Sequence, residues 1–301
     1  MTHYDLVASN QHKSLFIVIA FIAFIVGVVY LMSLAFGFGP DFTVVAVVLS
    51  TVMAFGSYWW SDKIVLTISG ARPVTRQEFF DFYTVTENLC IGQQMKTPKL
   101  YVIDDTAMNA FSTGRDPDHA AICATTGILA KLNRSELEGV IAHELSHVKN
   151  YDIRLMSIVS VLVGSVALLS DWMLRMTAWG GRRRSNNENS GQLGAILFIV
   201  GIVLALLSPI IAQLIQLAIS RRREFLADAS GVEMTRNPEG LINALTKITA
   251  DTEPLEAANK ATAHLYIANP LKNLSGGVGM FAKMFDTHPP VVDRITALKS
   301  I

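Results

Sequence analysis

Four stretches of the 301-residue chain carry no Asp, Glu, Lys or Arg: positions 14–40, 42–61, 155–170 and 189–220, of 27, 20, 16 and 32 residues. A helix rises about 1.5 Å per residue, so a hydrocarbon core of about 30 Å takes roughly 20 apolar residues. Leu15–Phe38, Phe42–Trp60 and Leu193–Ser220 meet that length and are predicted to be membrane helices. Tyr58, Trp59 and Trp60 close the second run with the rings that favour a membrane–water interface. The third run, Leu155–Ser170, is shorter. It either continues to about Trp179, with Asp171 and Arg175 near the far interface, or turns back as a re-entrant helix.

The segments between these runs show soluble patterning. Lys63–Ser69 is predicted as a short strand, and Thr75–Glu78 as a capping box opening a helix to about Ile91. Lys99–Ile103 and Ala120–Thr125 are predicted as strands around a polar turn, Ser112–His119. A second capping box at Ser135–Glu138 opens a helix that nothing interrupts until about Asn150. Helices are further predicted near Arg221–Thr235, Pro238–Ala250 and Val291–Leu298, with a Gly-rich stretch at Ser275–Gly279. The organisation is therefore an N-terminal hairpin (1–60), a hydrophilic part (61–154), a second hairpin (155–220) with a polar tip at 180–191, and a second hydrophilic part (221–301).

Composition sharpens this division. The chain is 51% hydrophobic and only 17% charged, but outside the four uncharged runs the charge density is that of an ordinary soluble protein, about 25%. Intrinsic disorder and a wholly soluble globule are both excluded. A formal net charge of zero gives no electrostatic basis for a nucleic-acid partner. Two cysteines are too few for a disulfide framework.

The candidate chemistry lies at His143-Glu-Leu-Ser-His147, midway along the helix predicted from Ser135. Residues i and i+4 share one helical face, so both imidazoles can meet one metal ion, and Glu144 lies near enough to act as a general base. At this composition about 0.006 chance occurrences of HExxH are expected, so the pattern is specific. Catalytic zinc needs a third protein ligand and an open position. Asn150 and Ile153 stand where a metzincin-type extension requires Gly and His, which closes that route. Downstream, Glu224 and Asp228 again stand at i and i+4. One can bind the metal while the other accepts a hydrogen bond from a ligand imidazole. His147 and Glu224 can meet only on one side of a membrane, a condition two full crossings between them satisfy. His119 and His264 have no ligand-like spacing.

HELSH, the later Glu224-Phe-Leu-Ala-Asp228, the flanking apolar runs, Asn109–Gly114, and Thr287–Pro290 with Arg294 together resemble the HtpX family of bacterial membrane zinc proteases, of which the CAAX prenyl proteases are more distant relatives. The resemblance covers nearly the whole chain. It implies an α+β membrane protein: a mostly helical, gluzincin-type catalytic domain with a small sheet and about four transmembrane helices. It implies one zinc ion per chain, held by His143, His147 and Glu224, with Glu144 as the base and Asp228 supporting a ligand histidine. Asn109, Ala110 and Phe111 would lie on an edge along which substrate adds as a strand, and His288 and Arg294 would stand near the oxyanion. The implied setting is the bacterial inner membrane, with the site facing the cytosol and membrane proteins or unfolded polypeptides as substrates.

Two other readings compete. A prenyl-protein protease shares the motifs but has a larger membrane chamber than four runs supply. A non-catalytic scaffold with structural zinc would have no use for Glu144.

Overall fold

The computed structural model describes residues 41–162, 221–256, 262–268, 270 and 289–301, together with helical residues scattered between 12 and 30. Most of 14–40, all of 189–220, the tip 180–191, Asp171, Arg175, the Gly-rich 275–279 and His288 lie outside the described residues.

Among the described residues the chain is mostly helical, with one small sheet. Helix α1 (Asp41–Ile68) is followed by β1 (Arg72–Pro73), α2 (Phe80–Gly92), β2 (Lys99–Ile103), β3 (Ala110–Gly114), β4 (Ala120–Thr125), α3 (Thr126–Lys131) and α4 (Arg134–Lys149). Residues 152–162 are again helical. After them come α5 (Arg221–Thr235), α6 (Pro238–Ala250) and α7 (Val291–Leu298). Among the described residues no helix is long and apolar enough to cross a membrane; the side chains at 42, 43 and 46 of α1 are outside that set.

The sheet order is β1-β2-β4-β3, with β2 and β4 parallel and β3 antiparallel to β4 at the edge. Strand alternation sorts the side chains into two cores. Leu100, Val102, Ala110, Ile122 and Ala124 join a cluster built with Phe82 and Val85 of α2, Leu137, Val140, Ile141 and Leu145 of α4, and Leu241 and Leu245 of α6. Ile103, Phe111, Ala121 and Cys123 face Val65 and Leu66 of α1, together with Leu155, Met156, Val159 and Tyr266. A sheet covered on both faces explains why β4, AAICAT, is buried at every position. It also presses α4 against the face that carries Ser112.

Four local expectations are corrected. Lys63–Ser69 is not a strand: α1 runs through Ile68 and closes with the Ser69 amide donating to Val65 O at 3.0 Å. Its β-branched residues suit a strand in isolation, but burying Val65 and Leu66 against Phe111 and Cys123 favours the helix. Thr75–Glu78 makes a turn rather than a capping box; Glu78 pairs with Arg72 at 2.6 Å, and α2 begins at Phe80 with no side-chain cap. At α4 the capping box forms two residues earlier than expected. Asn133 accepts from the Glu136 amide at 3.0 Å, and Glu136 accepts from the Asn133 amide at 2.8 Å. In addition, Ser112–Gly114 extend β3 where a turn is predicted.

The helices meet closely where glycine allows it. A Cβ on Gly139 of α4 would lie 2.6 Å from the Leu241 amide nitrogen of α6.

Candidate active site

Helix α4 presents His143 and His147 one turn apart, both almost fully buried. Helix α5 packs across it. Glu224 and Asp228, one turn apart on the facing side of α5, and Gly231 beyond them form the contact line. A Cβ on Gly231 would stand 3.2 Å from the His143 nitrogen, so the missing side chain is what lets the backbones approach.

At the crossing the two Nε2 atoms lie 3.2 Å apart. Glu224 places one carboxylate oxygen 3.8 Å from His143 Nε2 and the other 3.5 Å from His147 Nε2. Among the described residues these three form the one group whose ligand atoms lie within 4.8 Å of one another. The opposite ring nitrogens fix the tautomers. His143 Nδ1 donates to Asp228 at 2.9 Å, and His147 Nδ1 donates to Asp152 at 3.1 Å. Each imidazole therefore turns a lone pair toward the other and toward a carboxylate. Three buried acceptors with no donor among them require a cation, either a metal ion or a shared proton.

The electrostatics agree. Burial opposes charging of His147, but the Asp152 hydrogen bond and the nearby Glu224, Asp152 and Glu144 carboxylates outweigh it and raise the imidazole to about 9. Burial likewise pushes the Asp228 carboxyl up. Arg294, with two hydrogen bonds at 2.8 and 2.5 Å, and His143 overcome that and hold it at about 2. Each histidine of the cluster is thus backed by an aspartate, and each aspartate by an arginine. Arg294 holds Asp228, while Arg223 donates to Asp152 at 3.4 Å.

Glu144, 2% exposed, accepts a hydrogen bond from Ser112 Oγ of β3 at 2.7 Å. Because Ser112 lies on the sheet face turned toward α4, the edge strand and the candidate base are joined directly.

The structure brings His143, His147, Glu144, Glu224, Asp228 and Arg294 together. Arg294 is fully buried, donates to Asp228 and lies 3.4 Å from His143 Nδ1. Asn109, Ala110 and Phe111 lie at the start of β3. Asn109 donates to Ala268 O, Ala110 O accepts from the Ile267 amide, and Phe111 packs edge-on against Tyr266. His288 lies outside the described residues. His264 is buried beside Ser160 at 3.0 Å, and His119 pairs with Asp116 at the surface; neither joins the cluster.

Sequence reasoning missed Asp152, Ser112 and Arg223. Asp152 follows a break in the helix: Asn150 caps α4, and Tyr151 takes a left-handed φ of 59°. That turn brings residue 152 back under His147. An acidic residue five positions after an HExxH histidine, just past an Asn helix stop, is the signal that would have found it.

The sequence profile of Peptidase family M48 matches residues 81–301. The Protease HtpX homolog of Caldanaerobacter subterraneus subsp. tengcongensis is 40% identical over 303 residues, covering 100% of this chain and 98% of its own. The homolog from Dictyoglomus turgidum is 41% identical over 298 residues (99% and 94%), and that from Streptococcus uberis 39% over 301 residues (98% and 99%). A crystal structure of S. mikatae Ste24p aligns over 98% of this chain and 67% of its own at 18% identity and a TM-score of 0.47, too distant to support an argument. The profile match and the full-length relatives agree with the buried histidine–glutamate cluster in assigning the chain: it belongs to peptidase family M48.

Proposed function

We propose that the chain is a zinc-dependent endopeptidase at the surface of the bacterial inner membrane, cleaving membrane proteins or their misfolded cytosolic segments. The observation that carries this reading is the buried His143–His147–Glu224 cluster with Glu144 beside it. The donor set suits zinc. Bonds of about 2.0–2.2 Å in a tetrahedron put ligand atoms roughly 3.3–3.5 Å apart, and the observed separations are 3.2, 3.5 and 3.8 Å. Three protein ligands also leave a position open, as catalytic sites require. Zinc held there supplies Lewis-acid polarisation and lowers the pKa of a water to about 7.

The chain's own residues do the rest. Asp228 and Asp152 hold both imidazoles in the tautomer that offers Nε2 to the metal. Glu144 takes a proton from the attacking water as the new carbon–oxygen bond forms, and gives it to the amine as the carbon–nitrogen bond breaks. Ser112 steers the Glu144 carboxylate. β3 is the edge strand, and with Ala110 O already accepting from the Ile267 amide, a substrate adding there as an extended strand would pair beyond Ala110, a mode that reads backbone before sequence.

The membrane setting is supported by the four uncharged runs and by the short path from His147 to the apolar helix at 152–162. Lys13, set against a first loop lacking Lys and Arg, favours a cytosolic N-terminus and, with paired crossings, a cytosolic site. Quantitative proteomics of membrane fractions tests the substrate class. Membrane proteins should accumulate with Glu144→Gln and be cleared by the wild type; indistinguishable membrane proteomes would remove the quality-control role.

A further inference from the structure

We propose that the cavity at the Trp59 end of α1 binds the phosphate headgroup of an anionic phospholipid. The inference rests on the reading of α1 as a membrane helix. Val44, Val48, Val52, Phe55 and Trp59 recur at i+3 and i+4 along one face of α1 and are all exposed, Val44 at 62% and Trp59 at 42%. One turn beyond Trp59 the same face carries Lys63. Along about 16 Å of axis, from Val52 to Lys63, the helix therefore passes from aliphatic to aromatic to cationic, the order of acyl chain, interface and headgroup.

The sheet completes the cationic end. Lys99 opens β2 opposite Ala121, and Gly114 of β3 faces Ala120, so Lys99, Arg115 and His119 emerge at one end of the sheet beside α1. Between them lies a cavity of about 380 Å³, within the 300–1,000 Å³ typical of small-ligand sites. Phe55, Trp59 and Trp60 form its apolar wall. Lys63, Lys99 and Arg115 face it with a single carboxylate, Asp62. The Arg115 guanidinium is fixed 4.8 Å over the Trp59 ring and 3.4 Å from Asp116. Lys63 and Lys99 are exposed and make no ion pair among the described residues. A free phosphate would meet the same lysines but leave the apolar stripe uncovered; a phospholipid satisfies both.

The test is native mass spectrometry of the full chain in detergent with phosphatidylglycerol or phosphatidylcholine. Phosphatidylglycerol should be retained over phosphatidylcholine and resist displacement by millimolar inorganic phosphate. Lys63→Gln and Lys99→Gln should each lower its retention about fivefold, with zinc content unchanged, and Lys63→Arg should keep it. If one glutamine variant fails to fold, the other and Lys63→Arg carry the comparison. Equal retention of the two lipids, or glutamine variants that bind as the wild type does, overturns the site. Displacement by inorganic phosphate makes it a soluble-anion site and also overturns it. Labelling of Val48→Cys by a membrane-impermeant maleimide in intact vesicles separates the two claims. Labelling without detergent removes the membrane reading of α1, and protection without lipid preference removes the headgroup site alone.

Discussion

Asp152 accepts the Nδ1–H of His147 at 3.1 Å across the left-handed turn at Tyr151, so the break that ends the HExxH helix also orients its second histidine. A carboxylate behind a ligand imidazole fixes its tautomer and raises its basicity, and removing one costs about 10–100-fold in metal affinity. Asp152→Ala should therefore weaken zinc binding by about that factor in a chelator competition, with His143, Glu144 and Glu224 intact. Unchanged affinity would show that Asp152 only packs.

Asp228 makes the matching contact to His143 and is itself held by Arg294. Its carboxyl sits at about 2, below the ordinary 3.8. A depressed carboxyl contributes stability that is complete above its unfolded value and lost as pH falls through its folded one. The contribution, on the order of 2 kcal/mol, is thus present above about pH 4 and disappears toward pH 2. Arg294→Met leaves the buried Asp228 carboxylate with His143 as its remaining partner, which should destabilise the fold by up to about 3–5 kcal/mol at neutral pH. The deficit should shrink as acid protonates Asp228. Thermal melts between pH 7 and pH 3 read this directly; a deficit independent of pH would point to lost packing instead of charge.

Ser112 ties the edge strand to Glu144, the proposed base. Hydrogen bonds to charged groups contribute about 1.5–3 kcal/mol, so Ser112→Ala should lower kcat roughly tenfold while zinc content stays at one per chain. Ser112→Thr, which keeps the hydroxyl, should recover most of the rate. A rise in KM at constant kcat would instead place Ser112 in substrate binding.

Gly139 sets the approach of α4 to α6. Alanine favours a helix by up to about 1 kcal/mol over glycine, but here its Cβ would meet the Leu241 amide nitrogen at 2.6 Å. Overpacking of this kind costs about 1–3 kcal/mol. Gly139→Ala should lower Tm despite the better propensity, and a higher Tm would mean the helices part without cost.

The chemistry was legible because it is local. HExxH and ExxxD are each written at helical spacing, and α5, α6 and α7 lie where the apolar periodicity places them. Residues whose roles depend on tertiary contact were not. Lys63–Ser69 has strand-forming composition and becomes helix because Val65 and Leu66 reach the sheet's far face. Two overlapping capping patterns compete at α4; the one that forms is Asn133 with Glu136, and Glu136 also pairs with Lys247 at 2.7 Å. Asp152 and Ser112 meet the site through a backbone turn and a strand register, neither of which a motif encodes.

The proposed chemistry depends on Glu144 acting as the base of a zinc peptidase. Casein cleavage by the purified chain, followed with and without chelator and beside measured zinc content, tests it most directly. The wild type should cleave, chelator should stop it and zinc restore it, and Glu144→Gln should bind one zinc per chain yet lose nearly all turnover. Cleavage at the wild-type rate by zinc-loaded Glu144→Gln would contradict it.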